Sequence, residues 1–306
     1  MRVIFMGTPS YAVAILDKLI KKKYNIVGVF TQPDKVVGRK KILTPPDVKN
    51  YILKNNLNIE IFQPNSLKED TIYEEVLTLK PDIIIVAAYG QILPKNILEI
   101  CPCINLHASI LPKYRGASPI QSAILNDDKI SGVTAMKMGE KLDDGDMLGF
   151  SFLDISRFKS DEVFKQMEEL ASNLTVKILK NLNNIENFSQ FDALSSKCSK
   201  IKKDDGLIKF SDDAKEVFQK FKAFYPWPGI FLENGTKLLD IEFTDDNESS
   251  DFGKIVNLDR KSFDLQFKNG VIKVFKIQEK AKKPLLASDF INGKRLKIGD
   301  ILWKIF

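Results

Sequence analysis

The sequence predicts a doubly wound, mainly parallel α/β sheet followed by a small β-barrel. Three observations lead there. Over the first two hundred or so residues, short β-rich runs alternate with segments of helical apolar spacing, the order that builds parallel sheets. The run "DIIIVAA" at 82–88 is unbroken and apolar, as a central strand covered on both faces requires. Towards the C-terminus, Gly, Asn and Asp punctuate short strands at intervals of roughly ten residues, the rhythm of a small barrel.

The elements follow in order. "RVIFM" at 2–6 opens with a strand; Thr8 is the expected N-cap of the next helix, with Pro9 at its first position. "YAVAILDKLIKK" then carries apolar residues at helical spacing, and "NIVGVF" at 25–30 is the second strand. "TQPDKVVGRKKILTPPD" reads as a polar loop and 47–56 as a helix. "IEIF" at 59–62 is short and β-like, and Ser66 is the expected cap of a helix reaching 79. After the apolar run come strand "CINLH", helix 119–125, strands "GVTAMKM" and "DMLGFSFLDI", and a long helix over 161–182. The stretch from about 181 to 206 is polar and without sustained period, and reads as a linker on the surface. Beyond it a helix at about 213–224 precedes the strands "GIFLE", "TKLLDIEF", "GKIVNL", "SFDLQF", "GVIKVFKIQ" and "DILWKIF".

Composition excludes several classes. The 306 residues are comfortable for two domains, and 44% apolar with 28% charged residues is the balance of a soluble globular protein. No run approaches the roughly 18 uncharged apolar residues of a membrane helix, so no membrane partner is expected. "MRVIFMG" enters a strand at once, and no leader peptide is expected. Cys101 and Cys103 sit too close to bridge easily, and Cys198 completes no zinc pattern, so the thiols read as reduced and cytoplasmic, with no metal. A net charge of +6 leans towards an anionic partner. The first turn, "MGTPSYA", lacks the second and third glycines of a dinucleotide fingerprint, and no P-loop is present.

The chemistry concentrates in "INLHASILPKYRG" at 104–116, which holds the only histidine of the chain, His107. Strand side chains alternate, so Asn105 and His107 share a face, and Ser109 joins them if the strand stays extended. In an open α/β sheet, ligands bind beyond the carboxyl ends of the strands, which is where these residues fall. A lone histidine is more often structural, and an asparagine at a strand end is usually turn chemistry. Two features argue otherwise. "LPKYRGASPI" is a constrained, basic loop, and "KLDDGDML" supplies carboxylates in a Gly-containing turn from which one could orient the imidazole. Spacing does not choose among Asp143, Asp144 and Asp146.

These residues resemble the folate-dependent formyltransferases, within them the methionyl-tRNA group. Asn105, His107 and Asp143 match the family's N-x-H and L-D-x-G signatures. "SILPKYRGASPIQ", "MGTPSYA", "TQPDKVVGRKK" and "FKAFYPWPGIF" match further family segments, so the similarity spans both halves. Ile110 replaces a leucine, Tyr11 a phenylalanine and Ala135 a β-branched residue, and the basic loop lacks an extra glycine. The resemblance implies a Rossmann-like formyltransferase domain over 1–188, a linker over 189–204 and an OB-like, tRNA-contacting barrel over 205–306. It implies transfer of a formyl group from the co-substrate 10-formyltetrahydrofolate to the α-amine of initiator methionyl-tRNA, by a cytoplasmic monomer. Asn105, His107 and Asp143 would be catalytic. Ser109, Ile110, Leu111 and Pro112 would bind the reduced folate, with Tyr89 and Gly90 as pocket walls. Arg39, Lys40 and Lys41, with Lys202 and Lys203, would meet the tRNA. The acid/base role of His107 stays open. The rivals are a formyltransferase acting on a nucleotide-sugar amine, which would not need the basic loop, and a folate- or RNA-binding module that lost catalysis, whose triad should be broken.

Overall fold

In a computed structural model of the chain, the described residues are 1–38, 41–245 and 251–305. Their contacts divide into two units. The first comprises Met1–Ile120, Lys129–Ile155 and Glu162–Ser199; the second comprises Gln121–Asp128, Ser156–Asp161 and the chain from Lys200 onwards.

The first unit is built by β1 (Arg2–Gly7), α1 (Ser10–Lys21), β2 (Asn25–Phe30), β3 (Lys35–Val37), β4 (Ile42–Thr44), α2 (Asp47–Lys54), β5 (Ile61–Phe62), α3 (Asp70–Thr78), β6 (Ile83–Ala87), α4 (Lys95–Leu98), β7 (Cys103–His107), β8 (Arg115–Gly116), α5 (Pro119–Leu125), β9 (Ile130–Lys137), β10 (Met147–Asp154), α6 (Ser160–Asn181) and β11 (Lys197–Cys198), with α5 and α6 each running partly into the second unit. Its main sheet has the order β10-β9-β7-β6-β1-β2-β5. The five strands from β5 to β7 are parallel; at one edge β9 runs against them, and β10, antiparallel to β9, returns to their direction. The apolar run became β6, every residue of which is buried. The chain leaves β1 towards β2 and β5, then returns to β6 and β7 on the other side. The strand order therefore reverses between β1 and β6, which opens a crevice at their carboxyl ends.

Two expected helix caps are corrected. α1 begins at Ser10 with Pro9 at its N-cap and no side-chain cap. The Thr8 hydroxyl instead donates to the Tyr89 carbonyl at 2.9 Å, stapling the ends of β1 and β6 across the crevice. Ser66 accepts from the Lys68 amide at 3.2 Å and closes a local turn; the helix starts only at Asp70. The loop after β2 is not structureless: β3 and β4 pair antiparallel as a hairpin. At its base Lys49 contacts Asp34 (2.9 Å) and Gln63 (2.7 Å), and Gln63 donates to Asp34. These hydrogen bonds, from Gln63 first and then Lys49, hold the Asp34 carboxyl below its ordinary range.

The second unit contains α7 (Ala214–Ala223), β12 (Ile230–Phe231), β13 (Lys237–Asp245), β14 (Ile255–Leu258), β15 (Phe263–Phe267), β16 (Gly270–Gln278), β17 (Leu285–Leu286) and α8 (Ala287–Lys294). Its strands form one antiparallel sheet in the order β12-β13-β16-β15-β14, with β17 on β16. Alternate residues of β15 and β16, among them Phe263, Leu265, Ile272 and Val274, bury completely against Val217 and Phe221 of α7 and Phe290 of α8. The expected last strand, "DILWKIF", is a correction. Only Ile301 bridges Lys254, and Leu302–Lys304 turns into a 3₁₀ helix. That turn buries Leu302 and brings the Trp303 ring over Gly253, where a Cβ would lie 2.1 Å from the indole.

Gly7 at the end of β1 is fixed by crowding. A Cβ there would stand 2.5 Å from the Ala12 Cβ and 2.9 Å from the Ala87 carbonyl. Gly7→Ala should therefore destabilise the first unit by about 1–3 kcal/mol, the usual cost of overpacking. A urea unfolding midpoint equal to that of the parent would refute the crowding argument.

Candidate functional site

β7 lies beside β6, one strand from the crevice, and carries Asn105 and His107 to its carboxyl end. The strand is held from below by the Tyr11 hydroxyl, which donates to the Leu106 carbonyl at 3.1 Å. His107 is 6% exposed, and its Nε2 lies 2.9 Å from the Tyr114 carbonyl. A carbonyl only accepts, so Nε2 carries the hydrogen and Nδ1 is left for Asp143.

Asp143 comes from the turn between β9 and β10. It is 9% exposed and has φ +52°, a left-handed backbone for a residue with a Cβ. Its Oδ2 accepts from the Gly116 amide at 2.9 Å and lies 3.7 Å from His107 Nδ1; its Oδ1 is 3.4 Å from the Asn105 amide nitrogen. The structure thus brings the three expected residues together. It also shows that the tightest hold on the carboxylate is a backbone N–H. Gly145 allows the turn, because a Cβ there would fall 1.8 Å from the Lys137 carbonyl.

Ser109 does not join this group, which corrects the extended-strand expectation. β7 ends at His107. Ser109 is fully buried, and its hydroxyl donates to the Lys113 carbonyl at 2.7 Å. With its proton so engaged and no access to solvent, it is no nucleophile. Its carbonyl accepts from the Thr134 hydroxyl at 2.6 Å, and Thr134 Oγ1 in turn accepts from the Leu111 amide at 3.0 Å. Leu111 packs with Met136 and Met147, while Ile110 and Pro112 are half-buried. Sequence reasoning missed Tyr114 and Thr134, since a carbonyl or a mid-strand threonine leaves no signature of its partner.

The Tyr89 ring lies in the core with Ile4, Met6 and Phe30, so of the two expected walls only Gly90 is exposed. Burial pushes its phenol up. Gly90 is exposed with φ +86°, and a Cβ there would meet the Gln32 amide at 3.7 Å. The Tyr89 hydroxyl, Gln32 Nε2 and Thr31 Oγ1 are buried polar atoms without hydrogen-bond partners at the carboxyl ends of β6 and β2.

Of the basic residues, Arg39 and Lys40 lie outside the described residues, whereas Lys41 is exposed at the hairpin tip. Lys49, in the same basic segment, is engaged by Asp34 and Gln63. Lys202 and Lys203 are exposed and belong to the second unit. Burial pushes the thiols up, Cys101 to about 11 and Cys103 to about 12, so both stay protonated. Among the described residues, no cluster of three or more His, Cys, Asp or Glu side chains could hold a metal, and no helix is long and apolar enough to cross a membrane.

Comparison with known proteins accords with this geometry. The "Formyl transferase" family matches residues 1–179, and "Formyl transferase, C-terminal domain" matches residues 200–295. The chain is 59% identical over 301 residues to the methionyl-tRNA formyltransferase of Campylobacter hominis, covering 98% of this chain and 99% of that one. It is 50% identical over 303 residues to the methionyl-tRNA formyltransferase of Nitratiruptor sp., with coverage of 98% and 99%. Among solved structures, an N-formyltransferase from Helicobacter canadensis, in complex with folinic acid and dTDP-3-aminofucose, shares the fold (TM-score 0.67, 20% identity, 89% and 98% coverage). So does HypX from Aquifex aeolicus in complex with tetrahydrofolic acid (TM-score 0.63, 17% identity), of which the match spans 48% while covering 97% of this chain.

Thr134 is the pin between β9 and the loop after His107. Thr134→Val would leave the Ser109 carbonyl without its hydroxyl donor and the Leu111 amide without an acceptor, at about 1–3 kcal/mol for a buried polar group so stranded. The melting temperature should fall in the valine variant and largely recover in Thr134→Ser.

Proposed function

We infer the activity from one premise: the chain belongs to the formyl transferase family. It transfers the formyl group of 10-formyltetrahydrofolate to the α-amino group of methionine on initiator tRNA, and so serves translation initiation. The observation that carries this reading is the convergence of Asn105, His107 and Asp143 at the carboxyl end of β7, in a chain 59% identical to a methionyl-tRNA formyltransferase over nearly its whole length.

The chemistry is amine attack on a formamide carbon. A C–N bond forms, a tetrahedral carbon bearing an oxyanion results, and collapse breaks the bond to the folate N10. The proton lost by the amine is the one N10 must gain, so the net step needs neither an oxidant nor a metal. The amine is itself the nucleophile, which agrees with a Ser109 that is walled in. The Asn105 amide has two hydrogens. One is directed at Asp143, and the other is available to the oxyanion, where such a donor contributes about 3–4 kcal/mol. His107 is fixed by the Tyr114 carbonyl and faces Asp143 through Nδ1, so imidazole and carboxylate stand together beside the reacting centre. General acid–base help from such a pair is typically worth 10²–10⁴-fold.

The donor fits what the crevice lacks. Gln32 and Thr31 carry buried polar atoms without partners, and Gln32 lies beside the exposed Gly90. A polar heteroaromatic ring such as a reduced pterin would supply such partners, and on the same reading Ile110, Leu111 and Pro112 contact the reduced folate. On the same reading Arg39, Lys40 and Lys41 meet the acceptor end of the tRNA, and Lys202 and Lys203 track phosphates from the basic segment that opens the second unit. The working enzyme is a cytoplasmic monomer.

Supplied with 10-formyltetrahydrofolate and offered either methionyl-tRNA or a nucleotide-linked amino sugar, the protein should formylate the tRNA. Preference for the sugar would overturn the reading. His107→Ala and Asp143→Ala should each abolish transfer while folate binding stays measurable by calorimetry. Arg39→Ala should raise KM for methionyl-tRNA far more than KM for the donor; equal small effects would remove the basic loop from the acceptor site.

A further inference from the structure

We propose that Gln190 is a positioning residue for Asp143, holding the carboxylate through the backbone of its own turn; this rests on the formyl-transfer reading above. The region expected as a surface linker is tied to both sides of the site. Phe188 exchanges two backbone hydrogen bonds with Met147 at the start of β10 (2.8 and 2.9 Å), and the Ser189 hydroxyl donates to Asp146 at 2.9 Å. That register delivers Gln190 to the catalytic turn. Its Nε2 donates one hydrogen to the Asp143 carbonyl at 2.9 Å and the other to the Gly145 carbonyl at 2.8 Å. Its Oε1 accepts from Arg115 Nε at 2.9 Å.

Each of these bonds bears on the carboxylate. The two carbonyls bracket the turn in which Asp143 adopts its left-handed backbone, a conformation that persists only where its surroundings hold it. Arg115 immediately precedes Gly116, whose amide makes the shortest contact to Asp143 Oδ2. One amide side chain therefore braces the turn that carries the acid and the strand that binds it. Further along the strap, Arg115 bonds Asp192 at 2.8 Å, the Ser196 hydroxyl accepts from the Tyr114 amide at 2.9 Å, and β11 pairs in parallel with β8. The thiol of Cys198 lies 3.2 Å from the Tyr114 carbonyl that fixes His107. Gln190 touches no reacting atom in this arrangement; its role is the placement of Asp143 relative to Asn105 and His107.

Gln190→Ala and Gln190→Glu test this together. The glutamate still accepts from Arg115 but, ionised, has no hydrogens for the two carbonyls, so it separates bracing of the turn from bracing of Arg115. Both variants should lose about 10–100-fold in kcat, as expected when a reacting group is misplaced by a fraction of an ångström to an ångström, with KM for either substrate within about twofold. A second readout needs no substrate. Histidine-selective ¹⁵N labelling gives one imidazole, because His107 is the only histidine. Its ring-nitrogen shifts should move in both variants and stay in place in the surface control Lys68→Ala. If the alanine variant does not fold, Gln190→Met, similar in size, takes its place in both measurements. Wild-type kcat together with unmoved imidazole signals in Gln190→Glu would overturn the proposal. A parent protein that formylates no tRNA would instead count against the activity, and the imidazole signals would still decide the role of Gln190.

Discussion

The site is organised around a nearly buried carboxylate in a strained backbone. Asp143 sits at φ +52° and 9% exposure, so the fold must supply both the hydrogen bonds that water no longer gives and the contacts that keep the turn left-handed. It does so from three parts of the sequence. Gly116 gives a backbone N–H, β7 gives the Asn105 amide and the His107 ring, and the segment after α6 gives Gln190 to the turn's carbonyls. A buried charge with fixed partners loses little by reorganisation when charge develops nearby, which is the condition under which preorganised donors act best. The stability of the loop and the geometry of the chemistry are here one property.

Much of this was legible in the sequence because it followed from periodicity or from close packing. The unbroken apolar run could only be an interior strand, and the alternation in "CINLH" put Asn105 and His107 on one face. The glycines of the first turn and of "LDDG" answer to backbone approaches within 3 Å, so their spacing carried structural information. The acid was identified only through family resemblance. Asp143, Asp144 and Asp146 lie within one turn, and what distinguishes them is which reaches the Gly116 amide across 27 residues of sequence.

The misreadings share a physical cause. Thr8 and Ser66 were placed by a rule for what a hydroxyl usually does at a helix start, and Ser109 by strand alternation. Their actual partners are the Tyr89 carbonyl, the Lys68 amide and the Lys113 carbonyl. A hydroxyl has several backbone groups within reach, both local and distant, and preferences of about 1 kcal/mol do not select among them. The strap from Phe188 to Cys198 escaped notice for a related reason. Its order comes from short, isolated backbone pairings and from side chains bonded to distant groups, so it has neither the helical nor the strand period, and by composition it is indistinguishable from a slack linker.

The hairpin of β3 and β4 shows why the fold alone does not choose the acceptor. The Helicobacter canadensis N-formyltransferase shares this fold at 20% identity, so the sheet and crevice are common property and selection must come from elements around them. The hairpin is rooted at Lys49, Asp34 and Gln63, yet its two strands expose apolar side chains: Val36, Val37, Ile42 and Leu43 are each 55–63% exposed. Both faces of the hairpin are open, so neither shows the one-sided burial that would have marked it as a strand pair in the sequence. An apolar ribbon with the exposed Lys41 at its tip is poorly matched to a small, strongly hydrated acceptor, which could cover little of it. On the function proposed above, the end of a nucleic-acid duplex would offer phosphate to Lys41 and unstacked base faces to the valines, isoleucine and leucine. On that same proposal, the crevice would take the formyl donor and the hairpin beyond β2 would meet the amine's carrier.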